Sequence, residues 1–437
     1  MYRANLGEDM IDQSQPAQIA KFNPAYAYFV AILLAVVYTF NFLDRQVLAI
    51  LQESIRKDLN LSDTQLGLLT GLNFAIVYTT LGLPVAWLAD RSNRVRIIAI
   101  ACGIWSVCTA ATGRAGDFMQ LALLRMGVAT GEAGGSPPSY SLIADYFPAE
   151  KRGTALAIYS LGVPFGMLVG SAAGAWTAEH YGWRTAFVVV GAPGILLAAI
   201  VWLVIREPKR GQMDALVAGQ TKHADSPSIL EAIKSYVSNR TLLLTALSSG
   251  SSAFVGYAML NWGPSFLIRV KGMSQMEIAL YYSFVSGIAM ALGTFGSGWL
   301  VDRWSRRNKR AYALVPAIAF AVTIPFFVAM IYAPSWQIAL VCLAVPSLLN
   351  NMYLAPAITV VQNAASPSQR TMASAILLFV LNLIGLGLGP VYVGKLSDYF
   401  KPEYGNDSLR LAMLGLLPFI LLTVFAHVAA ARSIKKD

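Results

Sequence analysis

Beyond residue 24 the chain is a succession of apolar stretches divided by short polar breaks. About 20 apolar residues cross the hydrocarbon core of a bilayer as a helix. Stretches of that kind fall at 25–51, 63–89, 96–112, 117–144, 152–178 and 183–204, and again at 241–268, 275–301, 311–331, 336–361, 372–393 and 409–431. A polar run at 207–228, rich in Lys, Gly, Gln, Asp and Pro, separates six from six. The pattern predicts an all-α membrane protein of twelve transmembrane helices in two six-helix bundles. The expected layout is a tail at 1–24, a first bundle at 25–206, a cytoplasmic linker at 207–238, a second bundle at 239–432 and a tail at 433–437. The first span is long, follows a polar tail and lacks a small-x-small site, so it does not read as a cleaved signal peptide.

Composition strengthens this picture. Of 437 residues 56% are hydrophobic and 13% charged, against about 25% charged in soluble domains. The net charge of +10 does not point to nucleic acid, because Lys and Arg gather in alternate breaks: Arg91, Arg94 and Arg96; Lys151 and Arg152; Arg206, Lys209 and Arg210; Arg303, Arg306 and Arg307; Arg432, Lys435 and Lys436. That alternation predicts both termini in the cytoplasm, and the expected location is the cell's inner membrane. Cys102, Cys108 and Cys342 sit in apolar spans without metal-ligand spacing. No nucleophile–base set or metal cluster suggests an enzyme, and no cofactor is expected.

The break after the second span, Ala86-Trp-Leu-Ala-Asp-Arg-Ser-Asn-Arg94, recurs after the eighth as Gly298-Trp-Leu-Val-Asp-Arg-Trp-Ser-Arg306. Asp90 matches Asp302 and Arg91 matches Arg303. A weaker echo pairs Phe147-Pro-Ala-Glu-Lys-Arg152 with Ser366-Pro-Ser-Gln-Arg370. A duplicated six-span unit carrying this Asp-Arg loop in each half resembles the major facilitator superfamily. Ala86, Asn93 and Val95 depart from the family's loop; the second copy keeps Gly298, Leu300, Asp302, Arg303, Arg306 and Arg307. Both acids end helices, where the dipole disfavours negative charge unless a partner is present. The resemblance implies a gate: Asp90 engages the helix start near Ser366 to Arg370, and Asp145 joins through Arg91 or Arg152. Arg94, Asp302, Arg303 and Arg306 complete the expected gating set.

Charges inside a membrane are costly and normally face a wet cavity or a partner. Four stand out, all in the first half: Asp44 and Arg45 on the first span, Arg125 and Glu132 on the fourth. Arg125 and Glu132, seven apart, share a helix face about 10 Å apart along the axis, among Gly127, Gly131, Gly134 and Gly135 and ahead of Pro137 and Pro138. Asp44 and Arg45 differ by about 100° around their helix; Asp44 is expected to face the central cavity, with Arg45 left to pair with an acid or reach the lumen. A static ion-pair cluster is the competing reading. No histidine lies mid-span in the first half, so Glu132 and Asp44 are the candidate proton carriers, since an arginine does not deprotonate. The second half offers Tyr257, Asn261, Asn350, Tyr353 and Asn382, which hydrogen-bond without titrating. Lys395 and Asp398 are expected to face water. Gly162, Gly166, Gly170 and Gly174, and Gly385, Gly387 and Gly389, form small-residue seams suited either to sliding or to static packing.

Asn41-Phe-Leu-Asp-Arg, Arg125 through Glu132-Ala, and Ala144-Asp-Tyr-Phe-Pro resemble the spinster branch of the superfamily, over about Asn41 to Tyr159. The resemblance implies a proton-coupled, alternating-access transporter, working as a monomer, for an amphiphilic phosphate-bearing lipid such as sphingosine-1-phosphate or a lysophospholipid. Arg125, with Arg45, would hold the phosphate, as an arginine fork suits an oxyanion, and Tyr257, Asn261, Asn350 and Asn382 would add contacts. Rival readings are a symporter of a soluble organic anion or sugar phosphate, and a membrane sensor that does not transport.

Overall fold

A computed structural model describes residues 23–89, 91–213, 229–365 and 370–434; the side chains of Asp302 and Arg370 lie outside that description. Among the described residues nine stretches are long and apolar enough to cross a membrane. Two of them, Glu150–Val204 and Met372–Ser433, double back and hold two passes each. The helices Phe118–Glu132 and Ser136–Tyr146 supply the remaining pass. Twelve passes result, and the apolar side chains they leave exposed, such as Leu203, Val341 and Phe425, suit contact with lipid.

The polar breaks start helices by capping. Asn23 accepts from the Tyr26 amide ahead of Pro24 in the first pass, Ser62 and Gln65 form a capping box, and Asn93, Asp117, Asn239 and Ser335 cap later passes. Each supplies an acceptor to amides that have no intrahelical partner. Gly182, at φ 82°, turns the chain between the fifth and sixth passes in a conformation that a side chain would strain.

Several passes differ from their apolar stretch. The first helix, Pro24–Leu59, runs on through Gln52 and Glu53 to a left-handed cap at Asn60. The fourth breaks at 133–135, and Pro137 begins the next helix rather than bending the same one; proline fits a first turn, where its missing N–H costs nothing. The eleventh contains a π-helical stretch, Leu381–Leu388, and continues to Tyr404.

The glycine seams sort by partner. A methyl at Gly162, Gly166 or Gly170 would meet the first pass at Ala35, Thr39 or Leu43 within 2.9 Å. That ladder packs the fifth pass on the first inside one half. Between the halves, a methyl at Gly67 would lie 2.6 Å from the Pro390 carbonyl and one at Gly71 2.7 Å from that of Gly387. The second and eleventh passes therefore touch backbone to backbone. This closure lies at the end opposite the arginine-rich loops, called here the far end; the other is the basic end.

Candidate functional site

Arg45 and Glu132 make the central ion pair. Nε and Nη2 of Arg45 both lie 2.6 Å from Oε2 of Glu132, whose side chain is fully buried. The Arg45 guanidinium rests over Phe74 at 4.7 Å, Tyr78 at 5.0 Å and Phe42 at 5.4 Å, within the range of cation–π attraction. Tyr257 of the seventh pass is within electrostatic reach of both. The pair thus faces the second half. Oε1 of Glu132 is buried without a partner. Arg125 also lies over the buried Phe74 ring, 4.5 Å from its centroid, and its Nε has no partner.

Asp44 is not on this wall, which corrects the expectation that it faces the central cavity. It is 2% exposed, and neither carboxylate oxygen has a hydrogen-bond partner. With Arg125, Thr109 and Thr112 it lines a small hollow inside the first half. The reason is the 100° between neighbours on a helix: with Arg45 turned to the other half, Asp44 turns inward.

The second-half candidates are more self-contained. Asn261 Nδ2 donates to its own helix at Tyr257 O, 2.9 Å. Asn350, where the tenth pass breaks, donates to the Met259 sulfur at 3.4 Å and leaves Oδ1 unpartnered. Asn382 is half-buried in the π-helical stretch.

At the basic end, Asp90 and residues 366–369 lie outside the described residues, as do the side chains of Asp302 and Arg370. Arg303 and Arg306 are exposed. Arg91 stacks on Trp87 of its own helix at 4.2 Å. Arg152 donates to the Ala144 and Phe147 carbonyls, both 3.1 Å. Asp145 instead joins Arg94, correcting the expected link through Arg91 or Arg152: Arg94 Nη1 reaches Asp145 at 2.5 Å and Ser141 at 2.7 Å, and its Nε reaches Glu207 at 2.7 Å. Glu207 also accepts from the Val95 amide at 3.0 Å, and Asp145 from the Gly211 amide at 2.8 Å. Arg94 is buried because its side chain lies between the third pass, the fourth and residues 205–213, the strap that leaves the sixth pass.

The far end holds a group that the sequence reading did not single out. Arg269, closing the seventh pass, donates to Glu53 of the first pass at 2.6 and 3.0 Å, and to Asp63 of the second at 2.6 and 2.8 Å. Arg56 supports Glu53 at 3.3 Å, and Ser397 donates to Asp63 at 2.6 Å. Asp398, expected to face water, accepts from the amides of Asp63 and Thr64 at 3.0 and 2.7 Å, stabilising a helix start whose dipole favours an anion. Opposite charges at the ends of helices from different halves were the available signal.

The family model of the Major Facilitator Superfamily matches residues 34–390. The chain belongs to that superfamily, and its fold and relatives are those of membrane transporters rather than enzymes. Among solved structures it is similar to a bacterial homologue of the human lysosomal transporter Spinster, in an inward-facing and unoccupied conformation, with a TM-score of 0.85, 32% identity and coverage of 94% of this chain and 98% of that one. The expected resemblance to the spinster branch agrees with this. The chain is also 32% identical to an MFS-type efflux pump of Mycolicibacterium smegmatis over 90% of each chain, and 25% identical to a hexuronate transporter of Bacillus subtilis over 93% of this chain and 94% of that one.

Proposed function

We propose that the protein is a proton-coupled transporter that carries an amphiphilic, phosphate-bearing lipid by alternating access, its basic end facing the cytoplasm. The observation that carries this reading is the Arg45–Glu132 pair beside Arg125. Two guanidinium groups approach one buried aromatic ring, and one of them has no acid of its own. An oxyanion headgroup is the natural partner for the uncommitted cation. Phe42, Phe74 and Tyr78 around the neighbouring Arg45 provide apolar surface for a chain attached to that headgroup. Glu132 and Asp44, each with an unpartnered buried oxygen, are the groups able to take up a proton. Two halves rocking about such a midplane site would expose it to each side in turn.

The similarity to a hexuronate transporter favours a second reading, symport of a soluble organic anion, because the same arginines suit a carboxylate. Proteoliposomes loaded in turn with a lysophospholipid, sphingosine-1-phosphate and a hexuronate separate the two. Glu132→Gln and Asp44→Asn are expected to lose the pH dependence of uptake, and Arg125→Ala to lose substrate binding. Wild-type binding and pH response in all three variants would remove the site from consideration.

A further inference from the structure

The hollow beside Asp44 has room for roughly one water molecule. Its wall contains Thr109 and Thr112 of the third pass, Arg125 and Leu121 of the fourth, and Phe187 of the sixth. Every lining residue belongs to the first half. The hollow has a direction. The third pass runs from Arg94 at the basic end to Thr112 at the far end, so Thr109 and Thr112 step away from Asp44 toward the far end. Leu121 sits near the start of the fourth pass, which descends from that same end. The substrate's way out at the far end lies between the halves, where Arg269 and the Gly67 and Gly71 contacts shut it. The hollow itself stays inside the first half, and none of the closure residues line it.

We propose that the hollow is the inner end of a proton inlet that runs from the far face to Asp44 wholly within the first half. It rests on the reading above that Asp44 takes up a proton and that the far end is the outer face. A buried carboxylate whose oxygens make no close hydrogen bond, with only a looser approach from the Thr109 hydroxyl, is costly unless water or a proton meets it. A water in the hollow accepts from the unpaired Arg125 Nε and offers a hydrogen to Asp44. Hydronium arriving from outside gives its proton to an Asp44 oxygen, one O–H bond forming as another breaks, and leaves water behind. Leu121 and Phe187 line the hollow's apolar side, and in this proposal they serve as the constriction that wets and dries. The groups within electrostatic reach of Asp44 are Arg45 on its own helix, Arg125 and Glu132 on the fourth pass, and Cys102 on the third; the second and sixth passes present only Leu69 and Phe187 to the hollow. The Arg125 charge disfavours a metal cation there, whereas a relayed proton needs no cation site.

The test uses infrared difference spectroscopy on the full chain in oriented proteoliposomes, with outer and inner pH stepped separately. The carboxyl band that disappears in Asp44→Asn is expected to follow the outer pH while the far end is closed to substrate. Leu121→Trp, which fills the constriction, should slow that response by about 10-fold or more, and Leu121→Ala should speed it. A band that follows only the inner pH, or Leu121 variants with the wild-type rate, would overturn the inlet while leaving Asp44 as a proton carrier. If no band disappears in Asp44→Asn, the carrier assignment falls and the inlet falls with it.

Discussion

Replacing Arg269 by glutamine is expected to open the far end. Its side chain is 5% exposed and its guanidinium makes four charge-assisted hydrogen bonds, two to Glu53 and two to Asp63. The Asp63 side chain is fully buried and that of Glu53 nearly so. Removing one partner from a buried ion pair costs about 3–5 kcal/mol, mostly because the other charge stays buried and unpaired. Arg56 and Ser397 continue to support the two acids, so the low end, about 3 kcal/mol, applies. Because Arg269 and the acids sit in different halves, the cost falls on the closed state alone. When the halves part, all three groups reach water. A penalty of that size moves the closed–open equilibrium by roughly 10²-fold. Spin labels at Lys57→Cys and Glu403→Cys, both exposed at the far end, with Cys102, Cys108 and Cys342 replaced by serine, report the separation by double electron–electron resonance. The wild type should give a short distance and Arg269→Gln a predominantly longer one. Adding Glu53→Gln and Asp63→Asn to Arg269→Gln should bring the short distance back, since the fully buried acids are then neutral and Arg56, which loses Glu53, keeps some contact with water. A wild-type distribution in Arg269→Gln, or a triple variant more open than the single one, would refute the reasoning.

The two glycine seams should respond differently. Gly67→Ala, whose methyl would lie 2.6 Å from the Pro390 carbonyl of the other half, should lengthen the same label distance with little change in melting temperature. Gly170→Val, pressed against Leu43 of its own half at 2.8 Å, should cost about 1–3 kcal/mol of stability and lower the melting temperature without a selective shift in that distance. Arg94→Gln leaves Asp145 and Glu207 without their shared cation; a loss of about 3–5 kcal/mol should appear as a lower melting temperature and as faster proteolysis within 206–213.

Twelve passes and a repeated loop were legible because long apolar runs and arginine alternation are properties of the chain by itself. What was less legible depended on partners. The first helix outlasts its apolar run because Gln52 accepts from Ser265 at 3.1 Å and Glu53 meets Arg269, both on the seventh pass. Polar side chains there read as the end of a span. Asp44 and Arg45 were separable by helix angle, but the angle does not say which of the two faces the other half. Burying an arginine against Phe42, Phe74 and Tyr78 with Glu132 beside it decides the matter, and those four residues come from three different passes. Asp398 read as a solvated residue because its acceptors' partners, the amides of Asp63 and Thr64, lie in the opposite half of the sequence.

The ion pairs divide by whether they lie within a half or between halves, and that division separates structure from switching. Arg94 with Asp145 and Glu207 joins the third pass, the fourth and the strap that leaves the sixth. All three belong to the first half, so the group can persist while the halves rock. Arg45 with Glu132 likewise stays within the first half. Arg269 is different: every bond it makes to Glu53 and Asp63 must break for the far end to open. The same holds for the backbone approach of Gly67 and Gly71 to the eleventh pass. The charged part of the far-end closure therefore sits at the junction of the first, second, seventh and eleventh passes, beside a second contact in which Gln275 of the eighth pass reaches Ser54 of the first. On the proposed reading, a ligand at Arg45 would influence that corner through the first pass, a continuous helix from Pro24 to Leu59 that carries Arg45 and Glu53 eight residues apart. At about 1.5 Å per residue the two charges are about 12 Å apart along one axis, so tilting that helix to accommodate a headgroup moves Glu53 relative to Arg269. Binding and gating would then, on that reading, share one rigid element, which requires no longer chain of intermediates.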